Sequence, residues 1–190
     1  IMKGIMKKTT IIFALILFSF LTSGYKRPDF YTIDSVKNAR IHNNKGIMYL
    51  EERLYYPAIQ EFKIAISLNP NTQATAVYYN NLGETYMKIG KPDLALDCFE
   101  RALVQYSLNL KYYQNLADCY IALNMTEQKF KETAEKTNPL NMVMRGILYE
   151  KTGDYKNAIT ILDEFAYTEP DLLITPAVRL HIKKMVKEHL

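Results

Sequence analysis

Residues Ala76 to Asn109 read AVYYNNLGETYMKIGKPDLALDCFERALVQYSLN. Gly90-Lys91-Pro92 punctuates this stretch, and both halves carry apolar and small residues at helical spacing. Tyr79, Leu82, Gly83 and Tyr86 fall on one face of the first half, and Ala95, Phe99 and Ala102 on one face of the second. The pattern predicts two short helices folded back on each other through the Gly-Lys-Pro turn. One such pair cannot bury its apolar surface alone, so the flanking chain must supply more of the same.

It does. Upstream, Ala39 to Thr72 places Gly46, Tyr49, Ala58, Phe62, Ala65 and Pro70 in the same columns. Downstream of Leu110 come Tyr113, Leu116, Ala117 and Tyr120. A fourth copy supplies Met142, Gly146, Tyr149, Ala158, Leu162, Phe165 and Pro170, with the turn Lys151-Thr152-Gly153-Asp154-Tyr155. The small-residue column steps by 37 residues from Gly46 to Gly83, by 34 to Ala117 and by 29 to Gly146. The long step is expected as extra loop at Asn71 to Thr75. The short step removes residues between Thr126 and Pro139, where the Ala and Phe columns blur into Phe130 and Ala134. A short, polar, weakly packed helix is expected there, over 127–136.

Several columns recurring together in separate copies resemble the tetratricopeptide repeat. The resemblance covers about 39–172 and implies an all-α, right-handed helical-hairpin solenoid of about four repeats. It places Gly46, Gly83, Ala117 and Gly146 where the helices of a pair approach most closely. It also implies a concave groove, lined by the first helix of each pair, that holds a peptide or partner protein. Facing it would be Asn43, Asn44, Ile47 and Leu50, then Asn80, Asn81, Glu84 and Met87. Lys111, Gln114, Asn115, Asp118 and Ile121 follow, then Val143, Met144 and Ile147. The partner-binding candidates within this set are Asn44, Ile47, Asn81, Glu84, Met87, Lys111, Asn115, Asp118, Met144 and Ile147. Asn44, Asn81 and Asn115 form a ladder that Met144 interrupts. Amides donate and accept, which suits a peptide backbone, although Asn in this column also suits packing between first helices. Some members of the family grip a peptide's terminal carboxylate with a clamp of Lys, Asn and Arg. Asn81 and Lys111 match two clamp positions; Asn43, Ile47 and Asn115 replace the rest, so the clamp is broken.

The ends read differently. Residues 1–24 hold Lys7 and Lys8, an eleven-residue apolar run from Ile11 to Leu21, then Thr22, Ser23 and Gly24. These are the parts of an export signal, cleaved before Tyr25 or kept as a signal-anchor. The run is shorter than the ~20 apolar residues of a spanning helix. MKKTT from Met6 resembles bacterial export signals, which points to a start at Met6 and a periplasmic or secreted protein, membrane-anchored if the signal is kept. Residues 25–38 form a linker and the start of the first helix, with Thr32 or Asp34 as its cap. Repeats fill 39–174. Thr175-Pro176 opens a capping helix over 175–190. Val178, Ile182, Met185 and Val186 make its apolar stripe, and Lys183, Lys184, Lys187 and Glu188 its wet one. A polar-backed last helix closes the exposed end of such a stack; contact with a membrane surface is the alternative for this basic helix.

Charge and chemistry narrow the function classes. The net charge of +4 falls to near balance once Lys3, Lys7 and Lys8 are set aside, leaving 21 basic against 20 acidic residues. Nothing suggests nucleic-acid binding. His42, His181 and His189 show no metal-ligand spacing, and no phosphate-cradling glycine loop occurs. No enzyme activity, cofactor or metal is expected. Cys98 and Cys119 lie on adjacent helices, either as a disulfide of an exported protein or as two small core residues. Asn124 belongs to a turn. The functional expectation is a scaffold that docks a protein or peptide in the groove. The alternative is an assembly component of an envelope complex, docking through its convex face or last helix.

Overall fold

Asp34 opens the first helix, its carboxylate accepting the Lys37 N–H at 2.9 Å. The computed structural model describes residues 34–134 and 138–189. The expected export signal, most of the expected linker and the alternative cap Thr32 lie outside the described residues. Nine helices follow among the described residues: α1 (Ser35–Glu51), α2 (Tyr55–Leu68), α3 (Gln73–Lys88), α4 (Pro92–Gln105), α5 (Leu110–Ala122), α6 (Thr126–Glu132), α7 (Leu140–Lys151), α8 (Tyr155–Thr168) and α9 (Thr175–His189). They stack as four hairpin pairs closed by α9, the all-α solenoid that the columns predict. None of these helices is long and apolar enough to cross a membrane.

The four hairpin turns are one device. Arg53, Gly90, Asn124 and Gly153 take left-handed φ values of 60°, 69°, 55° and 86°. In each copy the next N–H donates to the carbonyl of Tyr49, Tyr86, Tyr120 or Tyr149, at 2.8–2.9 Å. This six-to-one bond satisfies a carbonyl left free at the end of a helix. Asn124 is thus turn chemistry, as its place in the sequence suggests.

Within each pair, a small residue faces a large one. A Cβ at Gly46 would lie 2.5 Å from the Phe62 ring, one at Gly83 2.6 Å from Phe99, and one at Gly146 2.4 Å from Leu162. All three large side chains are fully enclosed, and burying each is worth about 1.5–3 kcal/mol. Ala58, Ala95 and Ala158, also fully buried, let the facing backbone come close. Between neighbouring pairs, Tyr78 packs with Ala39 and Ala65, and Tyr112 with Ala76 and Ala102.

Three irregularities depart from the sequence reading. The long first step lies in a helix and not in a loop: the connections 69–72 and 106–109 are equal, while α3 starts earlier than α5 relative to the glycine column. Thr72 and Thr75 cap each other reciprocally, and the Thr75 hydroxyl donates to the Asn69 carbonyl. That capping makes Gln73 to Thr75 helical. The second helix of copy three is shorter than expected, ending at Glu132 where 136 was predicted, and it buries no residue. Phe130 meets Tyr149 at 4.5 Å between ring centroids, the rings tilted by 42°, whereas Ala134 is exposed. Finally, Val186 lies on the rim of α9; Val178 and Met185 are buried, with half-buried His181 and Ile182 between them.

Two substitutions test these causes. Gly83→Ala forces the enclosed Phe99 ring to move and is expected to destabilise by about 1–3 kcal/mol; an unchanged urea midpoint would contradict the close approach. Arg53→Gly relieves a left-handed side-chain residue and is expected to raise stability by about 1 kcal/mol in the same assay.

Candidate functional site

The first helices α1, α3 and α5 meet through amides, and the pattern is regular. Asn81 donates to the Asn43 side-chain carbonyl at 2.9 Å, and Asn115 to that of Asn80 at 2.8 Å. Each bond joins one repeat to the preceding one, one column over. Asn43 and Asn80 are buried, and a buried amide without partners would be costly. Asn43 also donates to Asn44 at 3.5 Å. The ladder therefore fastens helix to helix, the packing alternative for these asparagines. Only Asn44 of its three rungs is exposed.

Glu84 is the hub of the second joint. Its carboxylate accepts from Asn80 at 2.9 Å and from Asn115 at 2.8 Å, and pairs with the Lys111 ammonium at 2.7 Å. Burial pushes the Glu84 carboxyl up, but the bonds from Lys111, Asn80 and Asn115 outweigh it and hold it below its ordinary value. One repeat further on, Lys151 reaches back from α7 to Asp118 at 2.7 Å. Around this joint the concave face opens into a cleft of about 290 Å³, lined by Glu84, Met87, Lys88, Lys111, Asn115 and Asp118. Five of the sequence-predicted residues thus meet in one place. Ile47, half-buried, lies a repeat earlier on α1.

Met144 and Ile147 are not there. Both are buried, Ile147 completely. In copy three the short α6 does not hold α5 and α7 apart, so α7 packs against α5 more closely than α1 meets α3 or α3 meets α5. The same collapse encloses Val143. Position 144 follows the column of Asn81 and Asn115 but carries no amide, so an apolar contact replaces the rung.

Sequence reasoning missed two histidine pairs. His42 Nδ1 lies 2.5 Å from Glu61, between α1 and α2, and His181 Nε2 lies 2.7 Å from Glu150, between α9 and α7. His189 stacks on Tyr155 at 3.7 Å. These partners stand too far off in sequence for spacing to expose them. Among the described residues no three His, Cys, Asp or Glu side chains gather as metal ligands. Cys98 and Cys119 are free, buried thiols rather than a disulfide. Burial pushes Cys98 up to about 12 and Cys119 up to about 11, away from thiolate reactivity.

Because the Glu84 carboxyl sits lower folded than unfolded, its stabilisation is present above the ordinary value of 4.5 and is lost as pH falls through the folded value. Glu84→Gln is therefore expected to flatten the acid limb of the stability profile. An unchanged acid limb, measured by thermal melting across pH, would remove Glu84 from the joint.

Comparison with known proteins agrees with this architecture. Residues 76–106 and 141–171 each match a family model described as tetratricopeptide repeat. The chain is 32% identical over 117 residues to human intraflagellar transport protein 88 homolog, covering 56% of this chain and 14% of that protein. It is 30% identical over 97 residues to the uncharacterized protein ycf37 of Guillardia theta, covering 48% of this chain and 54% of that protein. The chain thus spans less than two thirds of the length of either relative. In fold it is similar to a tetratricopeptide repeat protein from Parabacteroides merdae, with a TM-score of 0.50 at 19% identity, over 80% of this chain and 61% of that one. Two of the four hairpins, within 76–106 and 141–171, are thus recognised on sequence as tetratricopeptide repeats, and all four share one left-handed turn.

Proposed function

We propose that this chain is an exported, non-catalytic adaptor that docks a peptide or partner protein on its concave face. Tetratricopeptide repeats generally mediate protein–protein interaction, which supports binding as the function class. The observation that carries the reading is the cleft between α3 and α5. There Met87 offers an adaptable apolar surface between the exposed charges of Lys111 and Asp118. The inter-repeat amides are occupied by each other, so side chains at the rim would make the contacts. The basic and apolar segments before Tyr25 support export to the periplasm or beyond, with anchoring in the inner membrane if the signal is kept.

A second reading has its own support. Tyr56, Val104 and Tyr167, on the second helices of copies one, two and four, are 74%, 83% and 86% exposed. Large apolar side chains left open along one set of helices suit docking into an assembly through that face.

Photo-crosslinking residues placed at Asp118 and, separately, at Tyr167 in the native cell distinguish these readings. A discrete protein adduct from position 118 is expected. Adducts from position 167 alone would transfer the function to the outer face. Export is checked in the same cells: the protein should fractionate with the envelope, and a cytosolic pool beginning at Met6 would contradict it.

A further inference from the structure

A larger cleft, of about 650 Å³, lies between α5 and α9. Leu110 of α5 and Ala177 and Leu180 of α9 line it, and Leu180 is left 70% exposed. Ala177, Leu180, Lys184 and Lys187 recur at steps of three and four, so they form one stripe along α9. This stripe is distinct from the Val178–Ile182–Met185 stripe that packs inward. Lys183 joins it at the rim, with Glu188 as an acid lining the same cleft. None of the ion pairs among the described residues involves Lys183, Lys184 or Lys187. Three ammonium groups against one carboxylate, beside an apolar wall, make a net positive field that selects for carboxylates.

We propose that this cleft docks an acidic amphipathic segment of a partner protein. An apolar side chain of the segment rests on Leu110, Ala177 and Leu180, and neighbouring carboxylates meet Lys183, Lys184 and Lys187. The inference rests on the docking reading above and gives it a place and a ligand chemistry. The lysines belong to the capping helix, outside the repeats. Other occupants fit less well. The chain's own first 33 residues carry Lys3, Lys7, Lys8, Lys26 and Arg27 against Asp29, the wrong sign for this cleft. A second copy meeting it symmetrically would set the lysines against themselves. A flat lipid surface cannot enter a cleft walled on one side by α5.

The test is a fluorescence-anisotropy titration of the whole chain with a fluorescein-labelled Glu-Glu-Leu repeat peptide. Binding is expected, weakening with added salt, and a Lys-Lys-Leu peptide should not bind. Lys184→Glu with Lys187→Glu should lower affinity by about tenfold or more, and Leu180→Asp should act in the same direction. These side chains are exposed, and circular dichroism checks that each variant folds. Lys156→Glu, at an exposed lysine of α8 that lines neither cleft, should leave the affinity unchanged. Absent binding, or equal affinity in the double-lysine variant, would overturn the inference. Binding that survives the lysine changes but is altered by Asp118→Ala would place the acidic segment in the α3–α5 cleft and keep the broader docking reading. Phosphatidylglycerol vesicles that bind in place of the peptide, and lose binding in the same variant, would assign the lysines to a lipid surface instead.

Discussion

The contact on which the structure depends is the missing side chain at Gly46, Gly83 and Gly146. With no Cβ there, Phe62, Phe99 and Leu162 lie directly against the facing helix backbone. Such packing fixes the separation of the two helices in a pair, because a filled interior does not yield by fractions of a methylene. The left-handed turn residue then fixes their connection. With both set, the three pairs that carry the glycine share one arrangement, and such pairs stack into a solenoid. The concave face follows from this arrangement and needs no separate cause.

Copy three shows what happens when the seam is relaxed. Ala117 stands in the glycine column, and the facing helix α6 is too short to supply a buried ring. Phe130 packs half-buried at the edge of the core beside Tyr149, and Lys129 lies over the Tyr120 ring at 4.8 Å. Without a full second helix, α7 meets α5 directly, and the open face that continues through α1, α3 and α5 closes at Met144 and Ile147. The groove is therefore short. Beyond it α9 faces α5 across the larger cleft.

The repeat architecture was legible because it rests on local spacing: three- and four-residue steps, Gly and Pro punctuation, and the recurrence of whole columns. The close approach at Gly83 could be read from its column. The groove was legible in outline, since five of its predicted residues do share a cleft. Three things were hidden, each for a physical reason. The amide bonds are offset by one column, so Asn81 meets Asn43 and not Asn44, which depends on the relative slide of two helices. Burial of Met144 and Ile147 depends on how far α7 moves when its neighbour is short. The threonine fastenings, Thr75 onto Asn69 and Thr175 onto Glu169, each close across a proline connection, with a residue pair six apart as the only trace in sequence. Spacing carries the fold well; what a helix touches after stacking it carries poorly.

The central claim is that a repeated small-to-large seam sets the stack and that copy three, lacking it, is the weak joint. Residue-resolved amide hydrogen exchange on the whole chain tests this most directly, because it reports the free energy of local opening along the chain. The account predicts that 126–134 exchange fastest within the repeats, while α3, α4, α7 and α8 stay protected. Uniform protection across all four copies, or fastest exchange in α3 and α4, would contradict it.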